Sequence, residues 1–150
     1  MSDDWVVLVP EDPGYVPDKE RQEKSRQRLS EITPDADEVE CVNSERVQFF
    51  DCGSNLEVVR CPNCKSEISW DWWSNRMDDD YKEGFRLATY ETPCCKSSLS
   101  LDKLIYDWPI AFGRFALSAR NPDMRQIQQE QVLELGHLLQ CRLITIRRHI

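Results

Sequence analysis

Two pairs of cysteines are the residues in this sequence whose type and spacing could do chemistry. Cys61 and Cys64 are separated by two residues, and Cys94 and Cys95 are adjacent. Two thiols in a tight turn can direct both sulfurs at one cation, and a second pair about thirty residues later can complete a tetrahedron of thiolates. The pattern therefore predicts one structural zinc ion bound by Cys61, Cys64, Cys94 and Cys95.

The second pair leaves the fourth ligand open. Aligned with C-P-N-C at residues 61–64, the second turn reads T-P-C-C at 92–95, so Cys95 matches the second ligand and Cys94 must replace the first. Cys52, just upstream, is the alternative fourth ligand. Some of these cysteines could instead be buried free thiols, since cysteine is among the most buried residue types. A redox-active pair is a further alternative, although such a pair usually lies at a helix start after a strand.

Length, cysteine content and charge limit the class of protein. A chain of 150 residues can bury the core of one domain, or a smaller core that carries an inserted metal module. The N-terminal residues lack the basic and apolar pattern of a signal sequence, and no apolar run approaches the length of a membrane span. Together with seven cysteines, which suit a reducing compartment, this predicts a cytoplasmic protein.

The first half of the chain must position the first cysteine pair. Residues 5–9 form an apolar, β-branched run typical of an interior strand covered on both faces. Residues 18–32 are rich in good helix formers but poor in apolar anchors, which predicts a mostly solvated helix. Residues 46–51 and 56–60 have strand character, and the C-G-S-N turn between them predicts a hairpin that leads into the first cysteine pair.

A helix is predicted between the two cysteine turns, capped by Ser69 and ended by Gly84. One face of this helix carries large apolar side chains at helical spacing, namely Trp70, Trp73, Met77 and Tyr81. We expect this face to be core, because a small metal module needs large side chains to bury its backbone. Trp72 lies off that face and, if exposed, is the better candidate for a contact residue.

The second half predicts a return to the core of the domain. Strands are expected at residues 85–91, 98–101, 114–119 and 143–146. Asn121 and Pro122 fit the N-cap and first residue of an amphipathic helix. Its predicted buried stripe consists of Met124, Ile127, Leu135 and Leu138.

Without the metal module, the predicted order is strand, helix, strand, then strand, helix, strand. This order indicates an α+β fold with a ferredoxin-like, split βαβ sheet, in which helices cover one face of an antiparallel sheet. The core would comprise residues 1–60 and 104–150. A zinc-ribbon module with the Trp-rich helix, residues 61–103, would be inserted between the second and third strands.

Several short motifs resemble those of a group of small, uncharacterised bacterial proteins with an embedded zinc ribbon. The motifs are D-C-G-S-N at 51–55, C-P-N-C at 61–64, W-W at 72–73, T-P-C-C at 92–95 and Y-D-W-P at 106–109, with Phe112 and Arg114–Phe115. The resemblance implies a fold and a structural zinc ion, and it implies no activity. This chain departs from the group at Lys65 and Lys96, which stand where glycine is usual after each cysteine turn.

Catalytic constellations are sparse, and we predict that the protein is not an enzyme. Four thiolates would fill the coordination shell of zinc and leave no position for water, so hydrolytic zinc chemistry is not expected. The histidines are His137, expected on the surface of the last helix, and His149. The sequence places no nucleophile near either of them.

Three functions remain in order of preference. The first is a protein-interaction module, of the kind of an immunity-type inhibitor or adaptor, whose net charge of −8 attracts a basic protein partner. The alternative is nucleic-acid binding by the zinc ribbon, which the net charge opposes. Its basic residues would be Lys65, Arg76, Lys82, Arg86 and Lys96. The weakest is a cysteine-dependent enzyme with Cys52 or Cys94 as a freed nucleophile.

Overall fold

The computed structural model describes residues 2–82 and 84–149, and within them it is a mixed α+β structure, which confirms the predicted class. The helices are α1 (Lys19–Ile32), α2 (Trp70–Tyr81) and α3 (Gln129–Leu139). The strands are β1 (Asp4–Pro10), β2 (Glu38–Phe50), β3 (Val59–Arg60), β4 (Tyr90–Glu91), β5 (Ser98–Leu99), β6 (Ile105–Tyr106), β7 (Ala111–Arg120) and β8 (Leu143–His149).

A four-stranded sheet with the order β2-β7-β1-β8 forms the centre of the molecule, and every neighbouring pair in it is antiparallel. Strand β1 lies between two partners, with Val7 opposite Ser118 on β7 and Ile146 on β8. Residues Val6 to Val9 are buried without exception, because both faces of the sheet are covered at this strand. The prediction of an interior strand at residues 5–9 is therefore confirmed.

Helices α1 and α3 cover one face of the sheet. Alternate residues of a strand point to opposite faces, so Val6 and Leu8 of β1 share one side. They pack with Leu29 of α1 and with Leu135 and Leu139 of α3 in one buried cluster. The outer surface of α1 is solvated, as its composition predicts, and Asp18 caps its first turn by accepting from the Arg21 amide at 2.9 Å.

The segment between β2 and β7 covers the opposite face. Val7 and Val9, which point to this side, belong to a second buried cluster with Val59, Met77 and Phe85 from the intervening segment. The two cysteine turns and α2 are thus attached to the sheet through a shared apolar core. The boundaries predicted for an inserted module at 61–103 stay a prediction.

The predicted hairpin between residues 46–51 and 56–60 is wrong. Residues 38–50 form the single strand β2, which pairs with β7, and only Val59–Arg60 of the second segment is a strand, paired with β6. The long-range pairing with β7 replaces the local pairing that the turn residues favour. Gly53, in that turn, has a φ of 68° and forms a parallel bridge with His149 of β8.

The start of the third predicted helix is also different. Asn121 has a left-handed φ of 51°, and its side chain accepts from the Asp4 amide at 2.8 Å instead of capping a helix. A 3₁₀ turn at Met124–Gln126 follows, capped by Asp123, and α3 begins only at Gln129. Of the predicted stripe, Leu135 and Ile127 are fully buried, while Leu138 is only partly buried.

The strand predicted at 85–91 is reduced to Tyr90–Glu91, and the strand predicted at 98–101 to Ser98–Leu99. Within the described residues, no helix has both the length and the apolar character that a membrane crossing needs.

Candidate metal centre

The Sγ atoms of Cys61, Cys64, Cys94 and Cys95 all lie within 4.8 Å of one another. Cys61 Sγ is 3.7 Å from Cys95 Sγ, and Cys94 Sγ is 4.0 Å from Cys95 Sγ. Sulfurs at the corners of a tetrahedron around zinc, each about 2.3 Å from the ion, are about 3.8 Å apart. The four thiols therefore fit one metal ion of this size, and the predicted zinc ion itself stays a prediction.

The two cysteine turns have the same backbone structure. In the first turn the Cys61 amide donates to the Ser66 carbonyl at 3.0 Å, and the Lys65 amide donates to the Cys61 carbonyl at 2.9 Å. The same two bonds, at 3.0 Å each, recur in the second turn with Thr92 in the place of Cys61. The alignment of the two turns from sequence is thus matched by their hydrogen bonds.

Lys65 and Lys96 occupy the position after each cysteine turn with φ values of 66° and 57°. This is the left-handed region, which favours glycine because a side chain is strained there. The Lys65 Nζ donates to the Pro62 carbonyl at 2.8 Å and so bonds to its own turn. The turn conformation is therefore the one that glycine would favour, although lysine stands at both positions.

Polar neighbours favour the thiolate form of Cys95. The Ser97 hydroxyl lies 3.1 Å from Cys95 Sγ, the Asn63 Nδ2 donates to it at 3.5 Å, and the Thr92 hydroxyl lies 3.5 Å away. These hydrogen bonds lower the pKa of Cys95 to about 5. Hydrogen bonds from Ser66 likewise lower the pKa of Cys64. Both shifts favour the charged form, which is the form that binds metals.

Short strand pairs hold both turns. Val59 and Arg60 of β3 pair with β6, and the Ile68 amide donates to the Val59 carbonyl at 2.8 Å, which closes the first turn. Tyr90 and Glu91 of β4 pair with β5 on either side of the second turn. Each turn therefore lies at the end of a hydrogen-bonded pair of chain segments.

Asp80, at the end of α2, is a buried side chain that the sequence reasoning missed. Its carboxylate accepts from the Leu87 amide at 2.7 Å, the Ala88 amide at 3.0 Å and the Tyr90 hydroxyl at 3.0 Å. These bonds replace strand pairing in the segment that leads to the second turn, and so explain why β4 is short. The sequence feature that could have indicated the burial of Asp80 is its spacing, because Asp80 follows the buried Met77 by about one helical turn.

The remaining predicted cysteine lies elsewhere. Cys52 is fully buried in the apolar cluster that contains Val59 and Phe112, outside the group of four thiols. Burial raises its pKa. Among the described residues, the fourth thiol that lies with Cys61, Cys64 and Cys95 is therefore Cys94 and not Cys52.

The tryptophans of α2 differ from the expectation. Trp73 and Met77 pack into the core, but Trp70 is 43% exposed and Tyr81 is 53% exposed. Trp72 is partly buried against the same core. The middle of the predicted apolar face is therefore covered while both of its ends meet solvent, and the exposed tryptophan of this helix is Trp70.

Both histidines are exposed in the structure. His137 is exposed on α3, as predicted. His149 Nδ1 lies 2.7 Å from the Asp4 carboxylate at the end of the sheet, where the two side chains link β8 to β1.

Three of the five basic residues proposed for a nucleic-acid patch bond to the chain itself. The Arg76 guanidinium pairs with the Asp79 carboxylate at 3.1 Å and lies over the ring of Tyr90. Arg86 donates to the Asp79 carbonyl at 3.1 Å, and Lys65 bonds to its own turn as described above. The charged groups of these three side chains are therefore engaged in intramolecular bonds.

An open groove of about 420 Å³ runs between α2 and β2. Its walls are Phe49, Trp73, Met77, Tyr81 and Phe85, together with Gln48, Ser74 and Asp78. Phe49 meets Trp73 and Phe85 edge to face, with ring centroids 6.1 Å and 6.2 Å apart. The lining residues include one carboxylate and no cation.

Comparisons with protein-family models, with curated proteins and with solved structures find no match for this chain. The resemblance to the bacterial zinc-ribbon group therefore stays a prediction that rests on the short motifs.

Proposed function

We propose that this chain is a non-catalytic, zinc-binding protein-interaction module that binds a basic protein partner, in the manner of an immunity-type inhibitor or an adaptor. The observation that carries the proposal is the aromatic groove between α2 and β2. It is an apolar surface open to solvent, with the Asp78 carboxylate on its wall.

Exposed aromatic side chains support a contact surface at this position. Tyr81 lines the groove and more than half of its surface meets solvent, and Trp70 is exposed at the other end of the same helix. Large apolar groups that remain exposed together often mark interaction sites, and Trp and Tyr are frequent hot-spot residues.

The charge supports a basic occupant. Net charge of −8 steers positively charged proteins toward this one. Within the groove, the faces of aromatic rings attract a guanidinium or ammonium group, and Asp78 can pair with it. An arginine or lysine side chain of a basic partner is the occupant that this combination fits.

In the same proposal, the metal centre has a structural role and no catalytic one. One zinc ion bound by the four thiolates would have a filled coordination shell, which leaves it no position for substrate water. It would join the two cysteine turns and so stabilise the segment that carries α2. We assign the four-stranded sheet to the ferredoxin-like arrangement, with a zinc ribbon inserted between β2 and β7. The strand order and the antiparallel pairing support this assignment.

The proposal is tested by capturing binding partners from the source cells on the immobilised chain at low and high salt. We expect a protein of positive net charge to bind at low salt and to be lost at high salt, because charge steering is screened. Asp78→Lys should weaken its binding about tenfold, since an interfacial charge pair becomes repulsive. Asp35→Lys, the same change at an exposed loop carboxylate, is the matched control.

Other outcomes separate the alternatives. Failure to retain any positively charged protein at low salt contradicts the proposed function. A gel shift whose affinity falls steeply with salt would favour the nucleic-acid alternative. A thiol in the zinc-loaded protein that turns over an acyl substrate would favour the cysteine-dependent enzyme.

A further inference from the structure

A second cleft, of about 280 Å³, lies between the edge strand β8, the start of α3 and the loop before β7. Thr145 and Arg147 of β8 are on the face that α3 covers, because they lie opposite Leu8 and Val6 of β1. Trp108 forms the wall on the loop side, and 41% of its surface is exposed. The cleft is thus bounded by a strand, the start of a helix and an indole ring.

The one charged side chain among the residues that line this cleft is that of Arg147. Its Nη1 donates to the Met124 Sδ at 3.3 Å, and its Nη2 donates to the Ile127 carbonyl at 3.4 Å. Both acceptors are neutral, and a thioether sulfur is a weak acceptor. By contrast, Arg148, the next residue along the strand, pairs with the Asp51 carboxylate at 3.3 Å. Among the described residues, the Arg147 guanidinium is therefore oriented at the cleft without a carboxylate partner.

The rest of the lining is held in place by the fold. Ile127 and Val132 belong to the buried cluster beneath α3, so they form a fixed apolar part of the wall. The loop that carries Trp108 is anchored at Asp107, whose carboxylate accepts from the two backbone amides of residues 57–58 at 3.1 Å each. A flat ligand would therefore meet a preformed apolar surface, which lowers the entropy cost of binding.

We propose that this cleft binds a small aromatic carboxylate. The ring packs against Trp108, and the carboxylate pairs with the Arg147 guanidinium, which exchanges a weak thioether acceptor for a charged one. Gln129, the first residue of α3, also lines the cleft. The first amides of a helix have no intrahelical acceptor and favour negative charge, so the start of α3 adds to the attraction for the anion.

Size and charge select this class of ligand over larger anions. A volume of about 280 Å³ is at the lower limit of ligand sites, which suits a single ring. One guanidinium balances a single negative charge, whereas a phosphate monoester carries about two. The site is separate from the aromatic groove of the proposed function, whose one charged lining residue is the carboxylate Asp78. The two sites therefore take ligands of opposite charge.

The test titrates the isotope-labelled full chain with benzoate, benzamide and acetate, followed by nitrogen–proton correlation NMR. Benzoate should give saturable shifts of the Trp108 indole N–H and of the Thr145 and Gln129 amides, with a dissociation constant of about 1 mM for so small a ligand. Benzamide keeps the ring without the charge, and acetate keeps the charge without the ring. Each should bind about tenfold more weakly than benzoate.

Matched variants test the assigned residues. Arg147→Gln should weaken benzoate binding about tenfold, because it removes the charge that pairs with the carboxylate. Arg142→Gln removes the same charge from an exposed arginine outside the cleft and should leave the affinity unchanged. Trp108→Leu should weaken benzoate binding and leave acetate binding unchanged, since it removes the ring and keeps the guanidinium.

Several results would overturn the proposal. Equal binding of benzoate and benzamide would mean that the guanidinium does not recognise the ligand, and tighter binding of phenyl phosphate would exclude a carboxylate as the preferred anion. Equal losses in Arg147→Gln and Arg142→Gln would mean that benzoate responds to overall charge. The absence of saturable shifts up to about 20 mM benzoate removes the site itself. Each of these results leaves the capture of a basic partner unaffected, and the ligand series in the wild-type chain decides even where a variant does not fold.

Discussion

Substitution of the four clustered cysteines is expected to have a different effect from substitution of Cys52, although all five were candidate ligands. We expect Cys64→Ser, Cys94→Ser and Cys95→Ser each to lower the zinc content of the purified chain below one ion, since a hydroxyl is a poor substitute for a thiolate. Elemental analysis by plasma mass spectrometry gives the ratio of zinc to protein.

Cys52→Ser is the informative control for this series. It should lower stability, because it buries a hydroxyl in an apolar cluster, but it should keep one zinc ion per chain. Cys141→Ser changes a partly buried thiol that is not among the four clustered cysteines, and it should leave the zinc content unchanged. Loss of zinc from Cys52→Ser with retention in Cys94→Ser would reverse the ligand assignment.

A second prediction at the scale of one residue concerns the contribution of Asp80 to stability. Its replacement by alanine leaves two backbone amides and the Tyr90 hydroxyl without the carboxylate that they bond to in the interior. We expect Asp80→Ala to lower the free energy of unfolding by about 3 kcal/mol, since buried donors left unsatisfied cost their full desolvation. Urea denaturation followed by tryptophan fluorescence measures the change.

Asp71→Asn, in the exposed first turn of the same helix, is the matched control. It should change stability by less than about 1 kcal/mol, because it alters only the interaction with the helix dipole. If the two variants unfold at the same urea concentration, the buried carboxylate does not anchor the segment before the second cysteine turn.

Gly53 lies just after strand β2, and its backbone conformation determines the direction in which the chain leaves the sheet. Its φ is 68°, and a Cβ at this position would overlap the carbonyl oxygen of His149 on β8. Gly53→Ala is expected to lower the free energy of unfolding by about 2 to 4 kcal/mol, because it adds left-handed strain to a backbone clash. Thermal and urea denaturation both measure this loss.

Gly14→Ala provides the comparison. The nearest neighbour of a Cβ at Gly14 is the Asp12 side chain at 3.6 Å, an ordinary contact. This variant should be neutral or stabilise by up to about 1 kcal/mol, because alanine restricts the unfolded chain. Equal losses in the two glycine variants would show that the contact with β8 has no special cost.

Elements defined by local signals were predictable from the sequence. The N-cap at Ser69 and the helical spacing of Trp73 and Met77 predict α2, and the structure begins this helix at the residue after Ser69. Similarly, an apolar run without alternation predicts that β1 is covered on both sides, as it is. Capping and periodicity act within one or two helical turns, so the information needed lies close by in the chain.

Elements that depend on distant partners were not predictable in the same way. Residues 52–55 have the composition of a hairpin turn, but β2 pairs with β7, which follows the whole segment that carries the two cysteine turns. Tertiary pairing therefore overrides the local preference of the turn residues. Asn121 has the properties of a helix cap, yet its amide side chain bonds to Asp4 at the far end of the sequence. The exposure of Trp70 at the start of α2 depends on which part of the helix the neighbouring segments cover, and helical spacing does not carry that information.

At the scale of the whole molecule, two apolar clusters lie on opposite faces of one sheet, and only one of them includes a cysteine of the metal centre. The cluster beneath α1 and α3 contains Leu8, Leu29 and Leu135 and no thiol of that centre. The other cluster contains Cys61 together with Met77 and Phe85. Loss of the metal should therefore affect the two faces unequally.

Removal of zinc with a chelator is accordingly expected to open residues 59–101 while the sheet and its two helices remain folded. Without the ion, the cysteine turns rest on short strand pairs and on residues strained at Lys65 and Lys96, whereas β7 keeps its pairing with β1 and β2. Hydrogen exchange with mass spectrometry should show protection lost in the segment around α2 and retained in residues 111–120. Restored zinc should restore the protection, and the Cys61→Ser chain should show the open pattern without any chelator. Uniform loss of protection across both faces would instead mean that the metal centre and the sheet unfold as a single cooperative unit.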